Sequence, residues 1–151
     1  MHYVIDGYNL VGKIKSLSLG DPNKEKILVS FLEHRNPHIK DRFTLVFDGK
    51  CAYSPWGSKT KTGKYHIIFT AHDESADDYI LGIIDKTKNK KGTTVISSDR
   101  KIQYHAKHKR ILCLKSEAFL KTYRNEIVED EKPFKASEKE LDHWLNTFSD
   151  I

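Results

Sequence analysis

Short apolar runs separated by stretches of helical periodicity set the organisation of this chain. Strands are expected at about His2 to Ile5, Phe43 to Phe47, Tyr65 to Phe69, Thr93 to Ser97 and Ile111 to Leu114, each four or five residues rich in β-branched and aromatic side chains. Between them, Ile27, Leu28, Phe31 and Leu32 fall on one face of a helix that Asp21-Pro22 should open, with Asp as cap and Pro in the first turn. A second helix is expected from Ser75 through Tyr79, Ile80, Ile83 and Ile84, and Asp99 opens a basic one running to about Lys107. Ser116 to Tyr123 reads as a short helix. Ser137-Glu138-Lys139-Glu140 spells a capping box before a last helix, at about 137–148, whose Leu141, Trp144, Leu145 and Phe148 share a face. The segment from Lys50 to Lys64, carrying Gly, Pro, Ser, Thr and Lys, reads as a long mobile loop. Strands alternating with helices predict an α/β fold: a single Rossmann-like domain over 1–151 with a parallel sheet flanked by helices.

What makes the pattern chemical is where the acids fall. Tyr3-Val4-Ile5 ends in Asp6, Leu45-Val46-Phe47 in Asp48, and Val95-Ile96-Ser97-Ser98 in Asp99, while Asp73, Glu74, Asp77 and Asp78 follow the run ending at Phe69. In parallel sheets ligands bind beyond the carboxyl ends of the strands, so four segments deliver carboxylates to one edge. Any one Asp there is explained as a helix cap or turn residue. Four together are not, because two carboxylates about 5 Å apart repel by roughly 3 kcal/mol at an effective dielectric near 20. A hard divalent cation among them resolves the repulsion.

Charge adds a partner. The 151 residues carry a formal net charge of +5, and nine Lys or Arg stand against one acid between Lys86 and Arg110. Lys59, Lys61 and Lys64 belong to a second acid-free segment. Such segments suit a polyanion, with nucleic acid the obvious candidate. No apolar stretch reaches membrane-spanning length, and no signal peptide is expected at the amino terminus. Cys51 and Cys113 lack the spacing of a zinc site, which fits a reducing, cytoplasmic compartment.

Four motifs in order, Val4-Ile5-Asp6-Gly7-Tyr8-Asn9-Leu10, Val46-Phe47-Asp48-Gly49, Ser75-Ala76-Asp77-Asp78 and Val95-Ile96-Ser97-Ser98-Asp99-Arg100, resemble the NYN branch of the PIN-like nucleases, most of all its bacterial YacP-like ribonucleases. The resemblance spans nearly the whole chain. It implies an endoribonuclease that uses Mg²⁺ or Mn²⁺, with Asp6, Asp77 and Asp99 as catalytic metal-site acids. Asp78 joins the metal positions, although relatives often carry Glu there. Asn9 matches a polar residue that orients a ligand or binds phosphate, and Asp48 and Glu74 are further candidates facing the metals or supporting them from behind. RNA, single-stranded or messenger, is the implied substrate, and the ribosome a further partner.

The residues themselves agree with that chemistry. Phosphodiester hydrolysis needs an activated water and a charge clamp on the leaving oxygen, which a divalent ion supplies without a histidine base. Arg100 and Lys101, beside Asp99, are placed to grip a phosphate. Lys59, Lys61 and Lys64 would hold the RNA backbone, and Tyr8, Tyr53 and Trp56 could stack on unpaired bases. His105 and His108 read as part of a solvated helix face. The alternative is a non-catalytic RNA-binding or ribosome-associated module that kept the fold. A flap-type DNA nuclease would need more chain. An aspartyl-phosphate phosphatase would need a second Asp where Tyr8 stands, a receiver domain would carry its acids in another order, and a dinucleotide site would need G-x-G-x-x-G.

Overall fold

The computed structural model describes residues 1–15, 17–35, 41–49 and 57–126. Tyr53, Trp56, Cys51 and the helix expected at 137–148 lie outside them. The elements run β1 (His2–Asp6), α1 (Gly7–Val11), α2 (Lys24–Arg35), β2 (Arg42–Phe47), β3 (Ser58–Thr62), β4 (Tyr65–Phe69), α3 (Ala76–Lys86), β5 (Thr93–Ile96), α4 (Arg100–His108), β6 (Leu112–Leu114) and α5 (Ser116–Glu126). Six strands form one sheet in the order β3-β4-β2-β1-β5-β6. All neighbours are parallel except β3, which pairs antiparallel with β4.

That order has a consequence for function. From β1 the chain builds outward through β2 and β4, then returns to the other side of β1 to lay down β5 and β6. The reversal puts a topological switch point between β1 and β5, where the loops leaving two neighbouring strands diverge and open a crevice. Asp6 ends β1, and Ser97 to Asp99 follow β5.

Strand periodicity divides the core into two layers. Tyr3, Ile5, Phe43, Leu45, Phe47, Tyr65, Ile67 and Ile96 face one side, against Leu10 and Val11 of α1, Leu28, Val29, Phe31 and Leu32 of α2 and Phe119 of α5. Tyr3, Phe43 and Tyr65 stack in a row across three strands, with ring centroids 5.2 Å apart at each step. On the other face Val4, Val46 and Val95 meet Ala76, Ile80 and Ile84 of α3 and Ile102 and Ala106 of α4. Among the described residues no helix is long and apolar enough to cross a membrane.

Two local expectations differ from what is observed. Ser58–Thr62 is not loop but an edge strand, in register from Ser58 opposite Phe69 to Thr62 opposite Tyr65. Its Lys and Thr side chains alternate without an apolar face, which suits an edge and guards it against further pairing. Helix α2 begins at Lys24, not at Asp21-Pro22. The Asp21 carboxylate accepts the Asn23 N–H at 2.8 Å and the Asp21 carbonyl accepts from Lys24 at 3.2 Å, so these residues close a turn first.

Candidate active site

Asp6 holds the N-cap position of α1 but caps nothing with its side chain. Its carboxylate is 7% exposed, and Oδ2 accepts a hydrogen bond from the Ser97 hydroxyl at 3.0 Å. Burial pushes the Asp6 carboxyl up to about 6; the Ser97 bond and the Asn9 N–H pull it back, while the charges of Asp77 and Asp99 raise it further. The Ser97 and Asn9 bonds only partly offset the cost of desolvating this carboxylate, so its placement calls for another explanation.

Asp99 and Asp77 differ from Asp6 and from each other. Asp99 does cap α4: its Oδ1 accepts from the N–H groups of Lys101 (2.9 Å) and Ile102 (3.2 Å). These bonds fix the carboxylate and leave Oδ2 uncommitted. Asp77 stands in the first turn of α3, where Ser75 is the cap and accepts from the Asp78 N–H at 3.1 Å. With capping assigned to Ser75, the Asp77 side chain is free to face the crevice. Its carboxyl is raised by partial burial first and then by Asp99.

These three acids and Asp48 line one cleft of about 350 Å³, together with Tyr8, Asn9, Ser75 and Ala76. Glycines bring the walls together. A Cβ on Gly7 would stand 2.3 Å from the Phe47 ring, so the turn after Asp6 packs directly on β2. A Cβ on Gly49 would fall 1.6 Å from the Thr70 carbonyl oxygen; here two backbones touch, and the Gly49 N–H donates to Thr70 Oγ1 at 3.0 Å. Asp48 is thereby held at the rim.

Asn9 and Tyr8 are both tethered. Asn9 Oδ1 accepts from the Ser98 N–H (3.0 Å) and the Ser116 hydroxyl (2.6 Å), tying α1 to the β5 loop and the start of α5. Tyr8 donates its hydroxyl to Glu25 at 2.7 Å, and its ring lies 5.1 Å from that of Phe47. Neither Ser116 nor Glu25 stands out in the sequence, and Ser97 appears there only within the fourth motif, without a role of its own. The signal for Ser97 is a hydroxyl directly after Val95-Ile96, two residues before Asp99.

The remaining candidates sit elsewhere. Asp78 is 62% exposed, outside the cleft lining, and pairs with Lys101 at 3.6 Å. Glu74 is half-buried but does not line the cleft. Arg100 is exposed in the first turn of α4. Lys59, Lys61 and Lys64 do not form one group. Lys59 and Lys61 are exposed on β3, whereas Lys64 has its ammonium over the rings of Phe43 and Tyr65 and 3.9 Å from Glu33. His105 and His108 bind different partners, Asp85 at 2.7 Å and Tyr104 at 2.9 Å. Burial pushes the Cys113 thiol up to about 11, which removes it as a nucleophile.

Against known proteins, residues 3–149 match the YacP-like NYN domain. The chain belongs to the YacP-like NYN family. That makes it a nuclease-type protein of RNA processing. Two solved structures share the fold of this YacP-like domain, both of Rae1 (YacP) from Bacillus subtilis. One aligns at TM-score 0.62 and 18% identity over 99% of this chain and 82% of that one. The other, a point variant, aligns at TM-score 0.62 and 21% identity over 81% and 74%. No curated protein matches the YacP-like chain in sequence.

The four carboxylates offer only oxygen donors, the set that suits Mg²⁺ or Mn²⁺. Among the described residues no three His, Cys, Asp or Glu side chains are drawn into a closed ligand cluster. An open set fits an ion that retains several waters and uses few protein ligands.

Proposed function

We propose that this protein is a divalent-metal-dependent endoribonuclease that hydrolyses RNA phosphodiester bonds in the cytoplasm at the cleft between β1 and β5. The observation that carries the reading is the Asp6 carboxylate: buried, capping nothing, raised to about 6, and coupled to Asp77 and Asp99 across one cleft. Asp6, Asp77 and Asp99 would hold the ion, with Asp48 extending the acidic lining. When bound, Mg²⁺ or Mn²⁺ supplies an activated water and neutralises charge on the leaving oxygen.

The chain's own residues do the positioning. Ser97 holds Asp6, the α4 amides hold Asp99, and Asn9 braces the loop between them. Phe47 and Glu25 fix the Tyr8 ring at the cleft wall, where an unpaired base can stack on it. Lys101 and Arg100, at the start of α4, lie beside Asp99 where a substrate phosphate would pass. Asp78 pairs with Lys101 and would tune that contact; it is not needed as a ligand. The products expected are 5′-phosphate and 3′-hydroxyl ends.

The test is incubation with labelled structured and unstructured RNA in Mn²⁺, Mg²⁺ or EDTA, beside Asp6→Asn. Cleavage that needs metal and Asp6 supports the reading. Retention of RNA without cleavage in any condition would favour a non-catalytic binding module, and a ribosome–mRNA complex would be the next substrate to offer.

A further inference from the structure

Helices α3 and α4 cover only part of their side of the sheet. The face bearing Val4, Val46 and Val95 continues across β4 and β3, where its residues are His66 and Ile68, then Lys59 and Lys61. At the amino-terminal end of the same face stand His2 and Arg42, paired in register, with Thr44 beside His66. Arg42, Lys61, His66 and Lys59 are exposed, so this part of the sheet is open.

Its charge has one sign. Partial burial first, then Lys61 and Arg42, hold the His66 ring below its ordinary pKa, so it stands as a neutral ring among the cations. Burial lowers His2 first, followed by Arg42, His66 and the terminal ammonium. Among the described residues no carboxylate pairs with Arg42, Lys61, His66 or Lys59, while Asp41 pairs with the amino terminus at 3.4 Å. Cations gathered without counter-charge on a sheet surface present a positive potential that favours an anionic partner.

The row also leads to the cleft. Lys59 lies opposite Ile68, one residue from the carboxyl end of β4, and its ammonium sits 5.6 Å from the centroid of the Tyr79 ring. Strand β4 lies beside β2, whose end carries Asp48 of the cleft lining, so the row Lys59, Lys61, His66, Arg42 starts at the sheet edge that bears the acids and runs toward the opposite edge.

We propose that this face is the track along which a single RNA strand leaves the carboxylate cleft, its phosphates following Lys59, Lys61, His66 and Arg42. The inference rests on the endoribonuclease reading and adds the path of the substrate. The occupant is a polyanion because Lys59, Lys61 and Arg42 are exposed cations and His66 beside them is a polar ring, not an apolar group. It is one strand because the row is a single lane that starts beside an aromatic ring, as in grooves that bind unpaired nucleic acid.

The test compares Arg42→Ala/Lys61→Ala/His66→Ala with Lys88→Ala/Lys90→Ala/Lys91→Ala, which removes exposed cations from the turn between α3 and β5. Binding is measured in EDTA to single-stranded RNAs of about four and about sixteen nucleotides, lengths that bracket common single-strand site sizes. The track variant should bind the long RNA roughly tenfold more weakly, with a salt slope shallower by about 0.7 for each of the two cations lost, and the short RNA as wild type does. With Mn²⁺ its KM for the long RNA should rise at unchanged kcat. Unchanged long-RNA binding while wild type binds and cuts would overturn the track alone, and leave the face to an acidic protein surface. An equal loss in the control variant would also overturn it, as a general charge effect. Absence of RNA binding and cleavage in wild type would sink the endoribonuclease reading and the track with it.

Discussion

Ser97 donates its hydroxyl to Asp6 Oδ2 at 3.0 Å, joining the ends of β1 and β5 across the switch point. The Ser97 Oγ in turn accepts the Asp99 N–H at 3.1 Å, so one serine sets the separation of two acids. The bond favours the charged form of Asp6, and its loss raises a carboxyl that already stands at about 6. In Ser97→Ala the Asp6 titration, followed by carboxyl NMR in the metal-free protein, should move to higher pH. Protons and the ion compete for this carboxylate. The acid limb of the pH–rate profile should therefore move the same way. An unmoved titration would show that the Ser97 hydroxyl does not stabilise the charge.

The raised carboxyl also has a stability consequence. Asp6 binds its proton more tightly folded than unfolded, where the ordinary value is 3.8. Its contribution to stability is therefore fully present below about pH 4 and is lost as pH rises through about 6. At pH 7.5 the folded protein carries a penalty of about 3 kcal/mol from the two-unit shift. Asp6→Asn should accordingly be more stable than wild type by about 2–3 kcal/mol at pH 7.5 in urea unfolding. The difference should vanish near pH 4, and Mn²⁺ should narrow it at pH 7.5 by stabilising wild type alone. Equal stability of the two proteins at pH 7.5 without metal would refute it.

Much of this was legible in the sequence, and the illegible parts have physical reasons. Strands such as Phe43 to Phe47 announce themselves because they are buried on both faces, and parallel topology follows from the helices between them. Ser58–Thr62 did not, because an edge strand that buries neither face carries no hydrophobic signal. Asp6, Asp48, Asp77 and Asp99 could be chosen by position, and all four line the cleft. What position could not reveal is that Asp99 caps a helix while Asp6 does not, since both precede helices in the same way. Ser97 and Ser116 find Asp6 and Asn9 across 91 and 107 residues, contacts that exist only once the sheet is assembled. Lys64 looked like its neighbours Lys59 and Lys61, but the β3–β4 turn carries its ammonium onto the aromatic row instead.

Adjacent acids at the start of α3 should behave differently. Asp77 lines the cleft and is coupled to Asp6 and Asp99, whereas Asp78 is 62% exposed and paired with Lys101. Asp77→Asn should lower kcat by a factor of about 10² or more, in the range for removing a group that acts in the transition state. Asp78→Asn should leave kcat within about threefold and stability within about 0.5 kcal/mol, as for an exposed ion pair. Parallel kinetics on the two variants decide it: comparable losses would make Asp78 a ligand in its own right.

The contact between Gly7 and Phe47 gives a prediction about the scaffold beneath the acids. A methyl group at position 7 would meet the Phe47 ring at 2.3 Å, and that ring is fully buried between Tyr8 and Phe69. Gly7→Ala should therefore destabilise the fold by about 1–3 kcal/mol, the usual range for overpacking. It should also disturb Tyr8 and Asp6, which flank the glycine, so activity should fall by more than the folded fraction does. Phe47→Leu, combined with Gly7→Ala, removes the ring edge that clashes. The double variant should recover stability relative to the sum of the single changes, a coupling of about 1 kcal/mol or more in a double-mutant cycle. Strict additivity would mean that the strain of Gly7→Ala arises elsewhere in the β1–α1 turn.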